Sequence, residues 1–253
     1  MAPLVTVFRL SFFSSFLSVA SIQVVDVGAP RTGTQSMHMA MQILGYKALH
    51  TGYRWDLRIP LCDYLFNNGT LEAALESLDG WDAAMDEPMA LLYEEIMENF
   101  PESKFILTIS DPDSWHDSYV ELSQNMDSSP LAVTVLKYAT SVGMAEADLT
   151  ISPESKKAMS KCTSMRSWGC DFRNPTTDTR RICLENYKKH NARVQQVIPP
   201  HRLLVYNWSD GWTGLAHFLQ KQIPEGEFPH EDKAADMWVP GHAEELAELK
   251  SAE

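Results

Sequence analysis

Basic residues are in short supply in this chain. Its 21 Lys and Arg residues are outnumbered by 34 Asp and Glu residues, so the formal net charge at pH 7 is −13. Proteins that bind nucleic acid neutralise its phosphates with Lys and Arg. We therefore expect no nucleic-acid partner. We also expect any bound anion to be held by local donors against the field of the whole chain.

Cysteine is also scarce, with four residues in a chain of 253: Cys62, Cys162, Cys170 and Cys183. No two of them form a C-x-x-C pair, so the sequence predicts no zinc site, and we expect no metal. We expect four reduced thiols. In an oxidising compartment, the spacing of Cys162 and Cys170 would permit a loop disulfide.

Long apolar runs are limited to the N-terminus. Residues 10–20, LSFFSSFLSVA, follow Arg9 and end in small residues, which is the pattern of a secretory signal. With Arg9 included, residues 3–25 make a poor membrane span. We favour a cytoplasmic protein. The alternative is entry into the secretory pathway through residues 1–20, with membrane contact only if this segment is an anchor. Sequons for N-glycosylation occur at Asn68 and Asn207, but such motifs are common by chance.

Strand and helix patterns alternate from residue 22 onward, without internal repeats. The predicted strands are Ile22–Val27, Lys47–His50, Trp81–Met85, Lys104–Ile109 and Arg202–Tyr206. The predicted helices are Thr34–Leu44, Leu71–Leu78, Pro88–Asn99, Ser114–Met126, Leu131–Val142, Thr179–Val197 and Gly211–Gln220. This alternation predicts an α/β fold of three layers, with a central parallel sheet flanked by helices. We expect one domain over residues 22–237, an N-terminal apolar segment over 1–21 and an acidic tail over 238–253.

The loop Gly28–Ser36, with the sequence GAPRTGTQS, follows the first predicted strand and opens the first predicted helix. Its glycines permit a tight turn that exposes N–H groups, and a helix N-terminus attracts anions. Arg31 adds a fixed positive charge. This arrangement predicts a P-loop-type cradle for a phosphate or sulfate group.

The same loop departs from a nucleoside-triphosphatase motif. Gly28 and Gly33 have the required spacing, but Thr34 stands where that motif has lysine. The lysine reaches the outer phosphates and the following hydroxyl holds magnesium. Its loss disfavours hydrolysis of ATP or GTP, whereas a sulfuryl group carries less charge and needs no metal.

Three stretches together resemble a known family. They are GAPRTGTQS, KFILTISDPDSW and HNARVQQVIPPHRLLVYNWSDGW, followed downstream by LAHFL and FPHED. They are similar to the PRTGT-loop members of the P-loop sulfotransferases, which are relatives of the cytosolic and Golgi enzymes. The resemblance covers roughly residues 22 to 237. It implies a P-loop NTPase-like fold and 3′-phosphoadenosine 5′-phosphosulfate (PAPS) as the sulfuryl donor.

The resemblance also implies roles for individual residues at the donor site. The first loop would bind the 5′-phosphosulfate through Arg31, Thr32, Gly33, Thr34, Gln35 and Ser36. Arg31, in place of the family's usual lysine, would also be catalytic, stabilising charge on the bridging oxygen. The 3′-phosphate would bind at Ser110 and Ser118. Ser110 replaces the usual arginine, and the candidates to substitute for it are Arg166, Arg173, Arg180 and Arg181.

The catalytic base implied by the resemblance is Asp86, because it occupies the position of the family's histidine, two residues before Pro88. The alternative is that Asp86 caps the helix predicted to begin at Pro88. Glu87 and His50 are predicted to bind the acceptor substrate. The predicted function is sulfuryl transfer to a small-molecule or glycan acceptor through a hydroxyl or amine. The alternative is a catalytically impaired nucleotide-binding or scaffold protein with the same fold. Acceptor identity and oligomeric state cannot be predicted from these motifs.

Overall fold

The structure is a computed structural model that describes residues 22–52, 54–128 and 162–230. The predicted helix Leu131–Val142, the N-terminal segment 1–21 and the acidic tail 238–253 lie outside these residues. Every helix in the described part of the chain is too short or too polar to cross a lipid bilayer.

The sheet has five parallel strands within the described residues: β1 (Val24–Asp26), β2 (Ala48–His50), β3 (Ala83–Met85), β4 (Lys104–Thr108) and β5 (Leu203–Tyr206). Their order across the sheet is β2-β3-β1-β4-β5. The predicted parallel sheet is therefore confirmed, and each strand lies within the range predicted for it.

Eight α-helices connect or cover these strands in the described part of the chain. They are α1 (Thr34–Ile43), α2 (Trp55–Phe66), α3 (Leu71–Glu76), α4 (Tyr93–Asn99), α5 (Pro112–Ser128), α6 (Ser164–Trp168), α7 (Thr177–Val197) and α8 (Gly211–Leu219). Short 3-10 helices span Met89–Leu91, Pro200–Arg202 and Trp208–Asp210.

Apolar side chains pack on both faces of the sheet, because successive side chains of a strand point to opposite faces. Val25 of β1 and Phe105 of β4 pack on one side, against residues of α2, α3, α4 and α7. Val24 and Ile106 pack on the other side, against α1 and α8. The three predicted layers are therefore present.

Two element predictions are wrong. The continuous helix predicted over Pro88–Asn99 is a 3-10 turn at Met89–Leu91 followed by α4. Residues 51–70, for which the sequence analysis predicts no helix, contain α2. Pro60 lies in the interior of this helix, where a proline removes a backbone hydrogen bond and is usually disfavoured, so the sequence pattern did not predict a helix there.

The cysteines are also paired differently from the prediction. Cys62 of α2 is bonded to Cys162, and Cys170 is bonded to Cys183 of α7. The expectation of four reduced thiols is wrong, and so is the Cys162–Cys170 pairing. The two bonds fasten both ends of residues 162–170, which we call the strap, and this segment includes α6.

The sheet order determines where a ligand would bind. β1 lies beside β4, yet the chain leaves β1 through α1 towards β2 and leaves β4 through α5 on the opposite side. Such a reversal opens a crevice at the carboxyl ends of the two strands, where parallel α/β sheets bind ligands.

Candidate active site

The base of the Gly28–Ser36 loop is fixed by a buried carboxylate. Asp26 accepts hydrogen bonds from the Gly28 N–H (2.9 Å) and from the Thr108 hydroxyl (3.0 Å). Thr32 Oγ1 lies 2.6 Å from Thr108 Oγ1 and 2.7 Å from the Ala29 carbonyl. The Thr32 hydroxyl therefore points to the loop's base, so its predicted contact with the donor stays a prediction. Burial raises the pKa of Asp26 to about 7, although its hydrogen bonds oppose the shift.

Side chains from other elements hold the loop from outside. The Trp115 indole donates to the Pro30 carbonyl at 2.7 Å. His190 Nε2 lies 2.7 Å from the Val27 carbonyl, which it reaches from α7. The loop shape is therefore set by α5 and α7 as well as by its own sequence.

The loop leads into the N-terminus of α1. Gly33 adopts the left-handed region at φ 101°, which glycine reaches without strain. The first intrahelical bond runs from the Met37 N–H to the Gly33 carbonyl, and no side chain in the described residues caps this end. The first-turn residues Thr34, Gln35 and Ser36 are buried. Helix starts without a capping side chain direct their N–H groups and positive dipole end at anions.

Arg31 connects the loop to α5 across the crevice. Its Nε and Nη2 donate to Ser118 Oγ at 3.2 and 3.1 Å. The structure therefore brings together two residues that the sequence predicts to bind opposite ends of one nucleotide. Arg31 also has φ 71°, and such strained backbone in a non-glycine residue is concentrated at functional sites.

Ser110 stands where the resembled family has an arginine, and its backbone is held by a tyrosine. Its backbone N–H and carbonyl both bond to the Tyr187 hydroxyl at 3.0 Å. Among the candidate substitutes, Arg180 is paired with Asp113 and Asp117 of α5.

The other candidate substitutes have different surroundings. Arg166 contacts the Phe66 carbonyl at 3.2 Å, and Arg181 pairs with Glu185 on the surface of α7. Arg173 is exposed. The guanidinium of Arg31, in contrast, contacts Ser118 directly.

A second cluster lies beside the start of α1. Thr34 Oγ1 is 3.2 Å from His50 Nε2 and 3.4 Å from Asp86 Oδ1, and His50 Nδ1 is 3.8 Å from Asp86 Oδ2. Thr34 and Asp86 come after β1 and β3, and His50 is the last residue of β2, so the carboxyl ends of these three strands converge here. The interpretation of Asp86 as a helix cap is wrong, because the 3-10 turn after Pro88 has no side-chain cap and the carboxylate faces Thr34. Asp86 has φ 74°, again in the strained region.

Burial controls the charges in this cluster. It lowers the pKa of His50 to about 3, with the nearby Arg58 guanidinium adding to the shift. It raises the pKa of Asp86 above the usual range, although Arg58, the Glu87 N–H, Arg31 and Thr34 oppose the shift. At neutral pH His50 is therefore an uncharged imidazole beside a carboxylate with increased proton affinity.

Glu87 faces away from Asp86 into a separate contact. Its carboxylate lies 3.5 Å from the Arg58 guanidinium of α2 and accepts a hydrogen bond from Ser167 of the strap. Burial raises the pKa of Glu87, an effect that Arg58 and Ser167 oppose. The predicted contact of Glu87 with the acceptor stays a prediction.

Sequence reasoning missed Arg58, Ser167 and Asp26. Arg58 lies on the unpredicted helix α2, and Ser167 lies in a polar stretch without a motif. The position of Asp26 at the end of a buried strand was the available signal, since a carboxylate there needs partners. The described residues contain no group of three or more His, Cys, Asp or Glu side chains suited to a metal.

Comparison with known proteins agrees with these features. A family model described as a sulfotransferase domain matches residues 23–237. The chain is also similar to Ava biosynthesis cluster protein M of Aspergillus versicolor, with 27% identity over 230 residues, covering 83% of this chain and 80% of that protein. Since the matched range takes in the loop, the crevice and all five strands, the chain belongs to the sulfotransferase domain family.

Proposed function

We propose that this protein transfers a sulfuryl group from PAPS to a hydroxyl or amine of a small-molecule acceptor or glycan. The observation that carries the proposal is the Arg31–Ser118 contact, which joins the phosphate loop to α5 across the crevice. Ava biosynthesis cluster protein M is by its name a product of a biosynthesis cluster, and this favours a small-molecule acceptor.

The donor set of the loop fits a phosphosulfate. A buried helix start without a side-chain cap and an adjacent guanidinium offer N–H groups and charge without a metal. In the proposal, Gly33, Thr34, Gln35 and Ser36 hold the anionic end through this helix start, and Arg31 stabilises charge on the bridging oxygen. When bound, PAPS supplies the sulfuryl group, and 3′-phosphoadenosine 5′-phosphate (PAP) is the leaving group.

Asp86 is the proposed base. It takes the proton of the acceptor hydroxyl or amine as the acceptor attacks sulfur, and burial gives its carboxylate a proton affinity suited to this task. Thr34 donates a hydrogen bond to this carboxylate, and the neutral His50 lies beside it with Nδ1 at 3.8 Å. His50 and Glu87 are proposed to line the acceptor side, with Glu87 held by Arg58.

Arg31 is also the proposed substitute for the arginine missing at Ser110. Its guanidinium already contacts Ser118, the serine assigned to the 3′-phosphate, so it lies between both predicted phosphate positions. The alternative function is a nucleotide-binding or scaffold protein without turnover. It is favoured by the loss of a dedicated arginine at Ser110, since a charge-assisted contact to phosphate is about twice as strong as a neutral one.

An assay of sulfuryl transfer to a panel of acceptors tests the proposal, with Asp86→Asn as the critical variant. We expect the variant to lose roughly 10²–10⁴-fold in turnover. We expect its affinity for PAP, measured by calorimetry, to stay within about threefold, because asparagine keeps an oxygen that can accept from the Thr34 hydroxyl of the phosphate loop. Asp79→Asn, at an exposed position after α3, is the matched control and should keep full turnover.

Each outcome has a distinct meaning. Full turnover by Asp86→Asn would refute the base assignment alone. PAP binding without turnover by the unaltered protein would favour the scaffold alternative. Absence of PAP binding would refute the nucleotide proposal as a whole.

A further inference from the structure

We propose that Asn68 carries an N-linked glycan and that the chain matures in the oxidising secretory pathway. Asn68-Gly69-Thr70 forms the turn between α2 and α3. This inference does not depend on sulfuryl transfer. It rests on the shape of this turn and on the cysteine pairing.

The Asn68 side chain is presented for modification. It is exposed, and its backbone has φ 62°, in the left-handed region typical of asparagine at tight turns. Within the part of the chain that the structure describes, no hydrogen bond holds its amide. A glycan attached to its nitrogen would extend into solvent without displacing a contact.

The second sequon, Asn207-Trp208-Ser209, is built differently. The side-chain oxygen Oδ1 of Asn207 accepts from the Ser209 N–H at 3.1 Å and from the Ser209 hydroxyl at 2.8 Å, which caps the following 3-10 helix. Its amide nitrogen contacts the Ile109 carbonyl at 3.5 Å. Glycosylation would leave that nitrogen one hydrogen but would place a sugar against the end of β4, where Asn207 is half-buried, so we infer that Asn207 is unmodified in the folded protein.

The cysteine pairing is an independent observation that indicates the same compartment. Cys62 lies six residues before Asn68, and its disulfide to Cys162 ties α2 to the strap. Arg166 of the strap in turn contacts the Phe66 carbonyl just before the turn. With Cys170–Cys183, all four cysteines are paired, which is typical of oxidising compartments and rare in reducing ones.

The modification replaces one bond with another. The Asn68 amide nitrogen bonds to the anomeric carbon of a lipid-diphosphate-linked oligosaccharide. The bond from that carbon to the diphosphate oxygen breaks, the lipid diphosphate leaves, and the amide loses one proton to the host transferase. Thr70 satisfies the sequon and then caps α3, accepting from the Ala73 N–H at 3.2 Å once the chain has folded.

Expression of the full chain in a eukaryotic host tests this inference. The chain should carry one glycan. After an N-glycosidase removes it, peptide mass spectrometry should find that Asn68 alone has been converted to aspartate. Asn68→Gln should abolish the glycan, and Asn207→Gln should leave it unchanged. Thr70→Ser keeps both the sequon and the cap, so it should retain the glycan.

The same digests under non-reducing conditions should contain the Cys62–Cys162 and Cys170–Cys183 peptides. Soluble, folded protein with an unmodified Asn68 would overturn the glycan assignment. Four free thiols in that protein would refute maturation in the oxidising secretory pathway. A glycan on Asn207 would contradict the distinction between the two sequons.

Discussion

At the scale of single residues, Gly28 has no room for a side chain. A Cβ atom there would lie 1.9 Å from Thr108 Oγ1 and 2.5 Å from the Thr108 carbonyl oxygen, so the loop would have to move. We expect Gly28→Ala to lower the free energy of unfolding by about 1–3 kcal/mol, measured by urea denaturation. It should also weaken PAP binding.

Gly214→Ala is the matched control for that substitution. Gly214 lies within α8 with no atom within 4 Å of an added Cβ, so alanine should be neutral or stabilise by about 0.5–1 kcal/mol. Equal effects of the two substitutions would refute the packing of the loop against β4.

Asp26 gives the residue-scale prediction for pH. Its pKa rises from an ordinary 3.8 to about 7 on folding. Between about pH 4 and pH 7 the Asp26 carboxyl is therefore protonated in the folded state and ionised in the unfolded state. Its contribution to stability is therefore present below about pH 4 and is lost as pH rises to about 7. Asp26→Asn keeps an acceptor for the Gly28 N–H but cannot titrate. Relative to the unaltered protein, the variant should gain stability over this window, as measured by thermal unfolding at successive pH values. A difference that does not vary with pH would contradict the assignment.

The sequence predicted only part of the site at this scale. Arg31, Thr34, His50 and Asp86 were predictable because each follows a strand, where parallel sheets gather ligand-binding residues. Arg58 and Ser167 were not, since neither follows a strand and their approach to Glu87 depends on tertiary packing of α2 and the strap.

At the scale of elements, the strap is the feature most open to test. Cys62–Cys162 closes a separation of 100 residues and Cys170–Cys183 one of 13. Loop-closure entropy then predicts losses of about 4–5 kcal/mol for the Cys62→Ala/Cys162→Ala pair and about 3 kcal/mol for the Cys170→Ala/Cys183→Ala pair. Urea denaturation of both double variants measures this. A larger loss from the shorter loop would contradict the entropic account.

The sequence predicted the elements that have a clear apolar periodicity. It did not predict those whose pattern is interrupted by a proline. The strands and α7 were recognised from apolar runs and a long helical pattern, although Thr176 rather than a later residue caps α7. The failures at α2 and at Met89–Leu91 both involve proline, whose effect depends on its place in the helix and on neighbouring contacts.

At the scale of the whole molecule, the charge of −13 opposes the approach of an anionic nucleotide. Salt screens this long-range repulsion, with a Debye length that falls to about 10 Å at 0.1 M. We expect the association rate constant of PAP, measured by stopped flow, to rise between about 10 and 100 mM salt. A rate that falls steeply with salt would mean that local positive charge dominates the approach instead.

The proposed function depends on the loop and Arg31 holding the phosphate end of a nucleotide. Calorimetric titration of PAP into the unaltered protein and into Arg31→Ala tests this most directly. A charge-assisted hydrogen bond contributes about 1.5–3 kcal/mol, so the variant should bind PAP roughly 10- to 150-fold more weakly. Equal affinities for PAP in the two proteins, or no binding by the unaltered protein, would contradict the account.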